Sequence, residues 1–171
     1  MCLPDFDSPS VFASLLDQQK GGCFEIMPLI GGLHFKQLYL PDSNILLTRF
    51  LSDRGVAEIS DYMAMGTALA GRSLVRRVKA VRHGLRFRVR CAPRFDYGRA
   101  PHQTLLRGQT VYFQPRTPAD LILCLRSSVP LSVRVGDAFA EFSLEEGESA
   151  SFILQQAGIT VTRGFATALS R

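Results

Sequence analysis

The sequence predicts a mainly β chain: an antiparallel β-sandwich with one short N-terminal helix. Three observations carry this. A dozen short runs rich in Val, Leu, Ile and Phe are separated by turn chemistry about every 8 to 12 residues, the spacing of a sandwich or barrel. In Leu85-Arg86-Phe87-Arg88-Val89-Arg90-Cys91 the odd positions are apolar and the even ones arginine, the period of a strand with one buried face. Helical patterns do not alternate with these runs, which excludes a doubly wound α/β fold.

The helix comes first. Ser8 can cap it, Pro9 suits its first turn, and Val11, Phe12, Leu15 and Leu16 form one apolar stripe before Gly21-Gly22 stop it. Strands are then predicted over Cys23–Met27, Phe35–Leu40, Ile45–Leu51 and Ala57–Tyr62, with Pro41-Asp42-Ser43-Asn44 and Asp53-Arg54-Gly55 as turns. Met63–Ala70 reads as a loop or one loose helical turn. Leu74–Val81 and Leu85–Ala92 are strands hinged at His83-Gly84, followed by Thr104–Leu106, Thr110–Gln114 and Leu121–Arg126. Leu131–Val135 and Ala138–Leu144 flank Gly136-Asp137, and Ala150–Leu154 follows Glu145-Glu146-Gly147-Glu148. No linker interrupts the series, so residues 1–171 read as a single domain.

Composition agrees. A chain of 171 residues that is 46% hydrophobic and 20% charged can bury about 70% of its unfolded surface. No run of about 18 uncharged apolar residues exists, so no membrane span is expected. Met1-Cys2-Leu3-Pro4-Asp5 lacks a basic stretch followed by an apolar one, so export is not expected and a cytoplasmic location is. Cys2, Cys23, Cys91 and Cys124 make no C-x-x-C pair and read as reduced thiols filling a core.

Charge is uneven. Between Arg72 and Arg99 lie ten basic residues against a single carboxylate, Asp96, more positive charge than the net +5 of the whole chain. Such a stripe permits polyanion binding. The alternation at 85–91 favours a solvated or partner-facing sheet, and no aromatic stacking pattern of the RNA-binding kind accompanies it, so nucleic acid is not expected.

The chemistry of catalysis is thin. His34, His83 and His102 are scattered without metal-ligand spacing, and neither G-x-S-x-G nor a glycine-rich phosphate loop is present. Glu145, Glu146 and Glu148 are the densest carboxylates, but they bracket a turn glycine. One pattern recurs: Pro4-Asp5-Phe6-Asp7 and Pro93-Arg94-Phe95-Asp96 are both P-x-F-D, just outside regular structure. A loop Phe beside an Asp can stack on a sugar while the carboxylate accepts hydroxyl bonds; equally, the Phe can plug the sandwich end and the Asp satisfy loop N–H groups.

Five segments then arrive in one order: Cys2–Asp17, Gly22-Cys23-Phe24-Glu25-Ile26-Met27-Pro28, Tyr39–Leu46 with Thr48-Arg49-Phe50, Gly55–Met63, and Cys91-Ala92-Pro93-Arg94-Phe95-Asp96-Tyr97-Gly98. This series resembles the opening of the bacterial glucoamylase/trehalase-like enzymes of glycoside hydrolase family fifteen, well over residues 2–98 and loosely to about 155. The resemblance is to their N-terminal β-sandwich, a supersandwich-like fold. In that family a helical (α/α)6 barrel follows and carries two glutamates that hydrolyse an α-glucosidic bond with inversion, flanking the bond with room for a water.

The resemblance implies a truncated, non-catalytic N-terminal domain without the barrel. It implies neither cofactor nor metal and assigns no catalytic residue. The partner would be a helical catalytic domain of the same or a neighbouring polypeptide, with an α-glucoside as candidate ligand. Phe6, Asp7, Ser8, Arg94, Phe95, Asp96 and Tyr97 are the expected substrate-proximal or interface residues. A stand-alone carbohydrate-binding or interaction module is the alternative. Groups that separate trehalose from maltodextrin would lie mostly in the barrel. Departures from the family pattern are Asp5 in place of Arg, Met1 in place of an aromatic residue, the missing upstream strands, and a tail after Gln156 that matches nothing. Missing cover would expose some of Ile45, Leu47, Phe50 and Phe113.

Overall fold

The computed structural model describes residues 1–3, 5, 7–63, 73–117 and 121–157. Among them the strands are β1 (Cys23–Pro28), β2 (His34–Tyr39), β3 (Leu46–Ser52), β4 (Gly55–Met63), β5 (Ser73–Arg82) and β6 (Leu85–Ala92). The second half adds β7 (His102–Arg107), β8 (Thr110–Pro115), β9 (Leu123–Ser127), β10 (Ser132–Arg134), β11 (Asp137–Leu144) and β12 (Ser149–Gln156). Every expected strand is present, with ends within two residues of the expectation. Beyond Met63, which closes β4, the 63–70 segment lies outside the described residues.

Two antiparallel sheets face each other. The smaller has the order β1-β6-β11-β10 and the larger β2-β3-β4-β5-β12-β9-β8-β7. The chain enters the small sheet at β1, builds β2–β5 in the large one, and returns through β6. It repeats this with β7–β9, β10–β11 and β12. Two of the crossings lie side by side and are bonded together. Gly147 N–H donates to Ala80 O at 2.8 Å, Ala80 N–H to Glu148 O at 3.1 Å, and His83 N–H to the Glu146 carboxylate at 2.8 Å. The glutamate cluster therefore braces a turn.

The core fills the space between the sheets. Leu85, Phe87, Val89 and Cys91 point inward from β6 and meet Val78, Phe113, Phe152 and Leu154 from the large sheet. Arg86, Arg88 and Arg90 point outward, as period two requires. Of the four cysteines, all free, Cys91 and Cys124 are buried. Burial pushes both thiols up, the protonated form that packs as an apolar group. No helix among the described residues is long and apolar enough to cross a membrane.

Two expectations are corrected. The N-terminal helix does not form: residues 8–20 run through turns and a single bridge, Cys2 to Ser10. Their backbone groups have distant partners that outbid a helical ladder. Val11 N–H donates to Met1 O at 2.9 Å, Ala13 N–H to Gly21 O at 2.6 Å, and Val11 O accepts from Arg94 N–H at 2.9 Å. Gly22, at φ +69°, ends this passage where a Cβ would stand 2.6 Å from Ala92 O. The second correction concerns cover. Leu47, Phe50 and Phe113 are buried and Ile45 is half-buried, while the exposed rings Phe35 and Tyr39 sit on β2.

Candidate functional site

The loop after β6 carries the second P-x-F-D segment, and the fold sets it against Ser10 and Val11 of the opening segment. Arg94 N–H donates to Val11 O at 2.9 Å and Tyr97 N–H to Ser10 O at 3.0 Å, so the 93–100 loop and the opening segment form one bonded surface. Asp96, Tyr97 and Gly98 are consecutive positive-φ residues at +50°, +55° and +84°. Two non-glycine residues held there mark a strained turn that its surroundings over-determine. Lys20 O lies 2.9 Å from where a Gly98 Cβ would be, so this approach needs glycine.

The expected site residues separate into two kinds. Phe95 is 1% exposed and plugs the sandwich end, its ring edge-on to His102 at 5.5 Å, with His102 in turn 5.9 Å from Phe113. It is therefore unavailable for stacking on a sugar. Arg94 is committed too, with two hydrogen bonds to Asp137 at 2.7 and 3.3 Å. Ser8 accepts from Asp5 N–H at 3.1 Å and shapes a turn. Toward solvent stand Asp7, the half-exposed ring of Tyr97, and Asp96, paired with Arg99 at 2.7 Å. Phe6 lies outside the described residues.

His102 fixes the floor of the loop. Its Nε2 lies 3.2 Å from Gly136 O, so the neutral ring carries its proton there and donates. Burial lowers its pKa, and the Arg94 charge lowers it further, against the raising effects of the Gly136 bond and Asp137.

Asp137 links the loop to a second feature that sequence reasoning missed. With only 7% of its side chain exposed, it also accepts from Arg90 at 3.0 Å. That bond raises the Arg90 pKa. Arg90 borders a groove of about 690 Å³ on the outer face of the small sheet, lined by Glu25, Arg88, Arg90, Arg134, Phe139 and Glu141 among others. Arg86 and Arg88 both bond Glu141, at 3.2 and 2.8 Å, and together lower its pKa, Arg88 the more strongly. The Arg134 guanidinium lies 5.8 Å from the Phe139 ring centroid. The signal for this groove is strand register, Phe139 opposite Arg90 and Glu141 opposite Arg88, which only the pairing of β11 with β6 reveals.

Guanidinium donors, carboxylate acceptors and a ring can recognise a polyol, but they do not make a general acid. A glycosidic acid needs a raised pKa, whereas the Glu141 carboxyl in this groove is held low by Arg88 and Arg86. Among the described residues no three His, Cys, Asp or Glu side chains cluster to hold a metal.

Comparison with known proteins adds the lineage. A family model described as "Trehalase-like, N-terminal" matches residues 1–119. A trehalase of Thermoplasma acidophilum is 42% identical over 64 residues, 36% of this chain and 11% of the relative. Trehalase 1 of Sulfolobus acidocaldarius is 39% identical over 98 residues, 57% of this chain and 16% of the relative. A trehalase of Mycolicibacterium smegmatis is 27% identical over 171 residues, 87% of this chain and 25% of the relative. The chain thus spans no more than a quarter of the length of these relatives.

Proposed function

The chain belongs to the trehalase-like N-terminal family, and from that premise we propose that it is the non-catalytic N-terminal domain of an α-glucoside hydrolase. The parent enzyme would be of the glucoamylase/trehalase type, glycoside hydrolase family fifteen, acting in the cytoplasm on trehalose or a related α-glucoside. Its helical barrel would carry the chemistry, and this sandwich would pack against it and shape the pocket mouth. The family match over residues 1–119, together with similarity to proteins named trehalase of which the aligned part covers no more than a quarter, is the observation that carries the reading.

The loop geometry supports it. Asp137 and the plugged Phe95 stiffen the 93–100 loop, so Asp96 and Tyr97 stand at a fixed tip beside the opening segment. A rigid tip with a ring and a carboxylate suits a domain interface or a pocket rim.

The test is activity. Purified chain incubated with trehalose, maltose and starch should release no glucose, whereas the complete reading frame that encodes it should hydrolyse at least one of them. Turnover by the isolated chain that survives repurification and vanishes in Glu146→Gln would overturn the reading.

The groove on the small sheet favours a second reading, a carbohydrate-binding module. Titrating trehalose and maltose against the chain and its Phe139→Ala variant separates the two. Binding lost in the variant supports the module; no heat at millimolar sugar rejects it.

A further inference from the structure

We propose that β2 is a pairing edge through which two copies of this chain join, β2 against β2, into one continuous antiparallel sheet. The argument begins with unequal sheets. Eight strands face four, so part of the large sheet has no opposite layer. At the β7 end the layers are stapled, because His102 Nε2 and Thr104 Oγ1 both donate to Gly136 O of the β10–β11 turn. At the other end the small sheet stops at β1, which is held over β4 and β5. Arg76 of β5 donates to Phe24 O, lies 4.9 Å from the Phe24 ring centroid, and is clamped by Asp61 of β4 at 2.8 and 2.9 Å. Beyond this clamp β3 still buries Leu47, Thr48 and Phe50, whereas β2 buries nothing.

All six residues of β2 are exposed, among them Phe35 and Tyr39 at 66% each and Leu38 at 46%. Among the described residues β2 pairs with β3 alone, so one side of its backbone offers a row of N–H and C=O groups. Other ends of the sheets are protected by familiar devices. β10 has three residues, β1 closes on Pro28, and β7 is stapled. β2 has neither Pro nor bulge and carries one Lys.

Its sequence is also self-complementary. A two-fold axis normal to the sheet keeps each side chain on its own face, so opposed residues must share parity. Centred on Gln37, it sets Phe35 against the partner's Tyr39 and Lys36 against the partner's Leu38, with Gln37 facing its own copy. Two aromatic cross-strand pairs result, and no Lys directly opposes Lys. There is room as well. Each copy contributes one wholly exposed strand, so two strands at about 4.8 Å each, about 10 Å of sheet, separate the covered part of one copy from that of the other. With six strand residues a side, well below the roughly 20 to 30 of a standard interface, the dimer is reversible.

Sedimentation of the full chain from low to several hundred micromolar should show a monomer–dimer equilibrium. Phe35→Lys should weaken it about tenfold or more while leaving the circular dichroism unchanged, since that ring is already exposed. Register is read by oxidation, in a background where Cys2 and Cys23 are Ser. Gln37→Cys should give a disulfide dimer and Tyr39→Cys should not, because the two-fold brings residue 37 alone onto its copy. A chain monomeric throughout overturns the proposal. So does a dimer indifferent to Phe35→Lys, or one that fails to cross-link through residue 37.

Discussion

Asp137 is the residue on which the site turns. It is nearly buried and takes hydrogen bonds from two arginines, Arg90 on β6 and Arg94 in the loop. Removing its charge leaves two guanidiniums short of a partner, and both are partly solvated, so the cost falls below that of a fully buried pair. Asp137→Asn should lower unfolding stability by about 1 to 3 kcal/mol, seen as a lower urea midpoint at unchanged slope. His102 gives a pH dependence of definite sign. Its folded pKa lies below the ordinary value near 6.5, so the unfolded chain binds the extra proton first. Its contribution is fully present above 6.5 and is lost as pH falls from there toward the lowered value. Melting temperature should thus decline over that window in the native chain and decline less in His102→Gln. Equal slopes would show that His102 does not carry the effect. The sequence pointed to Arg94 but not to Asp137, because the two lie 43 residues apart and only the fold joins them.

Among the elements, β6 was the most legible and the N-terminal segment the least. Strict alternation left β6 one arrangement that buries Phe87 and Val89 and solvates three guanidiniums, and that is the one found. Phe87 is fully buried and stacked on Phe142 at 5.7 Å, so Phe87→Ala should cost about 3 to 5 kcal/mol. Its neighbour Arg88, more than half exposed and sharing Glu141 with Arg86, should tolerate Gln within about 0.5 kcal/mol. Denaturant titration of the pair tests the alternation directly. Residues 8–20 misled because Val11, Phe12, Leu15 and Leu16 have helical spacing. Val11 is buried, yet Leu15 and Leu16 face solvent, so no single stripe packs anywhere. Propensity is a weak prior against backbone partners at Met1, Gly21 and Arg94, none of which a local window contains.

For the whole molecule, strand positions were readable but strand order was not. Turn chemistry marks where strands end, while the two crossings that stitch β5 to β6 and β11 to β12 depend on pairings such as Ala80 with Glu148. That order implies a stability gradient. β5, β12 and β6 have neighbours on both sides and supply the fully buried Val78, Phe152 and Val89, whereas among the described residues β2 is flanked once and exposed on both faces. Amides of the central strands should open only with global unfolding, and those of β2 through local fluctuation. In dilute solution, hydrogen exchange should therefore run at least about a thousandfold faster in β2 than at Val78, Val89 or Phe152. Raising the concentration should then slow β2 selectively if copies pair there, leaving the stapled β7 edge unchanged. Dilute β2 amides as slow as those of β5 would mean that the overhang is covered from within the chain, and that the gradient runs from some other end of the sandwich.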